Sequence, residues 1–194
     1  MSKPDQNALK PSADSLASAA QHFAKRGPAP VHLWTPDFCG DLDMRIARDG
    51  TWFYLGSPIG RMPLVKLFSS ILTREGKNYF LVTPVEKVGI KVDDVPFIAV
   101  DFEVLAGDKI LFTTNVDDEV LLGPDHPMRI THNEKGEPAP YVHVRANLEA
   151  RIDRKSFYRL VDLATVHEVN GENWLGVWSC SIFHPFIKSV DLSI

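Results

Sequence analysis

Two stretches of this chain carry the same ordered set of elements, and that repetition limits what it can fold into more than any single motif does. Met44-Arg45-Ile46 leads through a turn into a strand, then a helix around Arg61 and Leu67, then Gly76, Asn78 and an aromatic strand. Met128-Arg129-Ile130 leads likewise through a turn and a strand to a helix around Arg154 and Leu160, then Gly171, Asn173 and an aromatic strand. A chain built twice from hairpin, helix and strand buries each helix on a mainly antiparallel sheet, so the fold class is α+β with internal duplication. The Met44 unit is expected to superpose on the Met128 unit. The plainer alternative is one α+β domain holding two ordinary hairpin-helix units.

The expected organisation is a disordered tail and an N-terminal amphipathic helix over 1–30, a first unit over 31–95, and a meander with the second unit over 96–194. In the helix, from Ser12 to Lys25, Leu16, Ala19, Ala20 and Phe23 recur at helical spacing, with Ser12 or Asp14 as cap and Gly27-Pro28 as stop. Pro28, Pro30 and Pro36 then make an extended connector down to Asp43. Asp49-Gly50 predicts a two-residue hairpin in which Ile46 faces Phe53 and Met44 faces Leu55, leaving Arg45, Ala47, Trp52 and Tyr54 on the opposite face. Ser57-Pro58 reads as a helix start, and Leu64, Leu67, Phe68, Ile71 and Leu72 as its apolar stripe. Strands follow at 79–83, 88–92, 97–105 and 109–114. Strict alternation from Tyr141 to Ile152 predicts one long strand, Asp153 caps a helix with Phe157, Leu160, Val161 and Ala164 inward, and a last apolar run goes from Trp174 to Phe183, stopped by Pro185.

The net charge of -4 gives no global electrostatic footprint for DNA, RNA or an anionic bilayer. Cys39 and Cys180 stand far apart with no CxxC, which removes a disulfide framework and a Cys-based zinc site and fits a reducing, cytoplasmic setting. No run of about 18 apolar residues occurs, so no membrane span is expected.

Five stretches carry a family likeness: Gly40-Asp41-Leu42-Asp43-Met44-Arg45-Ile46, Asp49-Gly50-Thr51-Trp52-Phe53-Tyr54, Gly56-Ser57-Pro58-Ile59-Gly60-Arg61, Thr83-Pro84-Val85-Glu86-Lys87-Val88 and Tyr141-Val142-His143-Val144-Arg145. They resemble a bacterial family known only as domain of unknown function 1285, over most of the chain after about residue 30. The resemblance implies a duplicated α+β architecture, a C-terminal half similar to pleckstrin-homology-like folds, and a ligand site between the halves for a nucleotide-like molecule in signalling. It implies no catalytic motif.

Neither GxGxxG nor GxxxxGK[ST] occurs, which argues against a dinucleotide or P-loop fold. His126, His132 and His143 with Asp125 are conceivable metal ligands, but no HExxH or HxH spacing fixes a geometry, and ordinary hydrogen-bonded histidines are the favoured reading; no metal and no cofactor are expected. Ser179-Cys180-Ser181, with His184 after it, lies in an apolar strand rather than at a nucleophile elbow. Asp117, Asp118 and Glu119 read as a solvated turn.

Arginines among aromatics on strand faces carry more. A guanidinium beside a ring offers a fork for phosphate or carboxylate and a surface on which a base can stack. The expected ligand site is therefore Arg45, Trp52, Arg61, His143 and Arg145, bordering one cleft, with Arg61 near a helix N-terminus. The expected function is binding of a small anionic, nucleotide-like ligand in a regulatory role, with no nucleic-acid or membrane partner. The alternatives are a small hydrolase or transferase using His143 or His132 with an arginine, and a protein-binding scaffold presenting Trp52 and Trp174. A homo-oligomer through the edge of Phe97–Leu105 is open, since only Pro96 and Asp101 protect that strand.

Overall fold

The structure is a computed structural model and describes residues 11–21, 29–132 and 136–191. Packing divides the chain into two units, Met1–Asp94 and Val95–Ile194.

In the N-terminal unit, helix α1 (Ala13–Gln21) starts where Ser12 and Ser15 each accept the other's backbone N–H, at 3.2 Å in both directions. Leu16 and Ala20 are buried, and α1 packs on helix α2 (Met62–Ser70). The expected end of the first helix at Lys25 to Pro28, and the tail before it, lie outside the described residues.

Strand β1 (Phe38–Ile46) begins well before Met44, inside the stretch expected to be a connector. It pairs antiparallel with β2 (Trp52–Tyr54) and parallel with β6 (Lys87–Val92). With β3 (Ser57–Pro58), β4 (Leu72–Glu75) and β5 (Asn78–Val82) they form one sheet in the order β3-β2-β1-β6-β5-β4.

The first hairpin corrects the expected register. Its loop has three residues, Arg48-Asp49-Gly50, closed by Ala47 N–H to Thr51 O at 2.9 Å, with Asp49 Oδ1 accepting Thr51 N–H at 3.0 Å and Gly50 at φ 84°. That is the three-residue hairpin with glycine in the left-handed position. One residue of slip moves every side chain to the other face. Ile46 faces Trp52, Arg45 faces Phe53, and Met44 faces Tyr54. Trp52 is therefore in the core, 1% exposed and stacked on Phe68 of α2 at 6.3 Å. It neither shares a face with Arg45 nor is available to a protein partner.

The start expected for α2 is also displaced. Ser57 and Pro58 pair with Tyr54 and Phe53 across a tight turn at Leu55-Gly56, so the helix opens at Met62 with Arg61 as N-cap. It ends at Ser70, and Leu72 begins a strand instead of continuing the helical stripe.

In the C-terminal unit, β7 (Phe97–Leu105), β8 (Lys109–Thr114), β9 (Glu119–Leu121), β10 (Met128–His132), β11 (Pro138–Arg145) and β12 (Leu148–Ile152) form a sheet in the order β10-β11-β12-β7-β8-β9. The single strand expected from Tyr141 to Ile152 is two strands joined by Ala146-Asn147, with Ala146 at φ 46°. A shift in register between His143 and Arg145 keeps Val142, Val144, Leu148 and Ala150 all buried, so the alternation survives the reversal.

Asp153 caps α3 (Arg154–Asp162), accepting Ser156 N–H at 2.7 Å; Phe157 and Leu160 face inward, while Val161 is exposed. The final run is likewise a hairpin. A sheet of β13 (Thr165–Val169), β14 (Glu172–Ser179) and β15 (Ile182–Lys188) turns at Asn170-Gly171 and at Cys180-Ser181, and Pro185 sits within β15 rather than ending it. Buried Ser179 donates to Leu122 O at 2.7 Å and accepts Ile110 N–H at 3.0 Å, tying β14 to the larger sheet.

The chain is thus α+β and duplicated, in a frame different from the expected one. Three strands, a helix and three strands do occur twice in sequence, as β1–β3, α2, β4–β6 and as β10–β12, α3, β13–β15. The hydrogen-bonded order repeats elsewhere: β3-β2-β1-β6-β5-β4 recurs as β9-β8-β7-β12-β11-β10, and in each sheet only the central pair is parallel. Met44 thus lies in β1, one strand of a central parallel pair, while Met128 lies on the edge strand β10, so the two Met-Arg-Ile triplets are not equivalent in the sheets.

Candidate functional site

Alternation along β1 sends Leu42, Met44 and Ile46 into the core and leaves Asp41, Asp43 and Arg45 on the open face of the sheet. Beside them, Gly89 and Lys91 come from β6 and Phe53 from β2. Together these six line a groove of about 530 Å³. A second hollow of about 410 Å³, lined by Phe38, Phe80 and Lys87 among others, shares Asp41, Gly89 and Ile90 with it.

The backbone makes this concavity in two ways. Phe38 faces Lys87, Asp41 faces Gly89 and Arg45 faces Lys91, so β1 uses more residues than β6 over the same length and bulges on both sides of Asp41. Such bulges re-aim side chains. Gly89 then leaves the floor bare: a Cβ there would run into the Asp41 carboxylate.

Arg45 donates to Asp93 at 2.9 Å, and its guanidinium carbon stands 5.1 Å from the Phe53 ring centre. Both partners are partly exposed, so the pair is worth at most about 1 kcal/mol. Lys87 is held by Glu75 at 2.7 Å and lies over Phe80 at 4.4 Å. Among the described residues, Asp41, Asp43 and Lys91 have no ion-pair partner. The groove therefore offers one uncommitted ammonium, two uncommitted carboxylates that accept hydrogen bonds from hydroxyl or amino groups, and an aromatic ring.

The expected site residues fall as follows. Arg45 lines the groove, Trp52 is beneath the sheet, and Arg61 is exposed at the N-cap of α2 without a side-chain capping bond. In the C-terminal unit, His143 is committed to the backbone: Nδ1 lies 3.0 Å from Asp125 O and Nε2 2.5 Å from Ala146 O, and the ring stacks on His126 at 5.8 Å. Arg145 is paired with Asp118 and lies 4.8 Å over the Phe97 ring. His132 is exposed at the end of β10, and among the described residues no three His, Cys, Asp or Glu side chains converge as metal ligands. Trp174 is half-buried under Lys188.

Asp41, Asp43, Gly89 and Lys91 are not among the site residues expected from the sequence. Their signal was present: Asp41, Asp43 and Arg45 alternate with Leu42, Met44 and Ile46, and Gly89 inside an apolar strand marks a close approach.

Comparison with known proteins gives a consistent picture. The family model described as "Domain of unknown function (DUF1285), N-terminal domain" matches residues 29–95, and that described as "Protein of unknown function (DUF1285), C-terminal domain" matches residues 96–186. A crystal structure of a DUF1285 family protein from Silicibacter pomeroyi DSS-3 is 55% identical, with a TM-score of 0.84, covering 94% of this chain and 100% of that one. A second, from Shewanella baltica OS155, is 29% identical with a TM-score of 0.51, covering 62% of this chain and 91% of that one. No curated protein matches the chain.

Proposed function

The chain belongs to the DUF1285 family, and from that premise and the groove we propose that it is a non-catalytic regulatory protein whose N-terminal unit holds a small anionic, nucleotide-like ligand. The observation that carries this reading is Lys91, an ammonium in a groove of about 530 Å³ with no ion-pair partner among the described residues. Arg45 adds a second cation beside the Phe53 ring, which is a surface for a base. Asp41 and Asp43 would repel a ligand that is only anionic; they suit one that also brings hydroxyl or amino donors, as a nucleotide does. A hydrolase built on His143 is less favoured, because both of its ring nitrogens already meet carbonyl oxygens. Cys39 and Cys180 are free thiols, which fits work in the cytoplasm.

The test is calorimetric titration of the full chain with adenosine 5′-monophosphate as the probe, followed by recovery of the nucleotide. The expected result is saturable binding that Lys91→Ala weakens at least tenfold, about 1.4 kcal/mol, with the nucleotide recovered unchanged. Absence of binding at millimolar nucleotide, or its conversion to another compound, overturns the proposal.

A further inference from the structure

In the C-terminal unit, β7 runs between β12 and β8, but β12 accompanies only Phe97–Ala99, whereas β8 accompanies β7 to Leu105. After Ile152 the chain leaves the sheet: Asp153 N–H donates to Ala99 O at 3.0 Å, and α3 begins. From Val100 onward no described strand lies on that side of β7. Such a half-open edge accepts a further strand unless something blocks it.

The block consists of two side chains on one residue's backbone. Phe102 N–H donates to Asp101 Oδ1 at 2.8 Å, and Phe102 O accepts Arg159 Nη2–H at 3.1 Å. Arg159 Nη1 pairs with the same Asp101 oxygen, and the guanidinium lies 4.4 Å over the Phe102 ring. Both backbone groups of Phe102 on the open side are therefore filled by side chains. Strand groups alternate in direction, so Val104 presents its own N–H and C=O to the same side. Asp101 and Arg159 remain exposed, as do Val100, Val104 and Leu105.

We propose that Asp101–Leu105 is a strand-addition surface that Arg159 holds shut, and that its partner is an extended peptide segment alternating basic and apolar residues. The charge argument selects that partner. Asp101 and Glu103 both belong to this edge, so a second copy of the strand would set acid against acid, which is unfavourable for directly opposed residues. Arg159 already acts as one basic residue of such a partner, supplying a donor to the Phe102 carbonyl and a charge to Asp101. A segment that brings its own backbone N–H and its own cation takes both places and extends the sheet to Val104.

The test compares the full chain with Arg159→Ala and Arg159→Lys. Amide hydrogen exchange is followed at Phe102 and Val104, and binding is read by fluorescence anisotropy of a labelled heptapeptide alternating lysine and valine. Arg159→Ala should speed exchange at Phe102, leave Val104 exchanging as fast as in the parent, and bind the peptide at least tenfold more tightly than the parent. Bound peptide should slow exchange at Val104, and a heptapeptide alternating glutamate and valine should not bind. Arg159→Lys keeps the charge and the helix but lacks the fork, and should fall between parent and Arg159→Ala; it keeps the question answerable where Arg159→Ala does not fold. Equal affinity in parent and variants, unchanged exchange at Phe102, equal binding of the acidic peptide, or self-association of Arg159→Ala without peptide capture overturns the proposal.

Discussion

Gly89→Ala separates stability from binding, because the new methyl meets a side chain and no backbone. Its Cβ would collide with the Asp41 carboxylate and lie 3.7 Å from Phe38 Cε2, the latter an ordinary contact. Asp41 is exposed and has no ion-pair partner among the described residues, so its carboxylate can swing away at small cost. Gly89 does not occupy the left-handed region, and replacing such a glycine stabilises a fold by about 0.4–1 kcal/mol through the unfolded chain. That gain offsets the displacement of Asp41, so the variant should unfold within about 1 kcal/mol of the parent in urea. Binding should respond differently. The methyl fills the groove floor and pushes Asp41 into the space a ligand would take, and affinity for adenosine 5′-monophosphate should fall at least tenfold, about 1.4 kcal/mol. A loss of stability above about 2 kcal/mol would show that the site cannot relax around the methyl. Unchanged affinity in a stable variant would show that Asp41 and the floor take no part in binding.

The hairpin register makes a second test: Trp52→Ala should cost about 3–5 kcal/mol as a large core truncation, whereas Arg45→Ala should cost at most about 1 kcal/mol, and equal costs by urea unfolding would refute the assigned faces. Burial holds the His184 imidazole below its ordinary value, opposed by its hydrogen bond to the Ser179 backbone. The unfolded chain therefore takes up a proton that the folded chain refuses, and stability should fall as pH drops through about 6.5; His184→Gln should flatten that slope, and an unchanged slope would refute the assignment.

How legible the fold was depended on what each turn displays in the sequence. Asp49-Gly50 announced a hairpin, yet the loop length that sets its register was invisible, because the same dipeptide serves two-residue and three-residue loops. Ala146-Asn147 and Cys180-Ser181 announced nothing: Ala146, Cys180 and Ser181 have positive φ without being glycine, so both reversals read as uninterrupted strand. Asp153 was legible because a cap is local chemistry. The groove was half legible. Arg45 was found through its charge on a strand face, while Trp52 was assigned to the wrong face by the same one-residue slip, and Lys91 offered only a lone cation in a short strand. What distinguishes Lys91 is that it forms no ion pair among the described residues, which only the fold reveals.

The parallel pair at the centre of each large sheet also has a kinetic consequence. Each three-stranded meander joins neighbours in sequence and closes through short loops, but β1 meets β6, and β7 meets β12, only after roughly fifty residues of intervening chain have been ordered, and such distant contacts slow folding. The meanders should thus form early and their docking should limit the rate. The Asp41 and Gly89 groove, which straddles β1 and β6, would then be the last part of its unit to mature, and a ligand bound there would act on the unfolding rate more than on the folding rate.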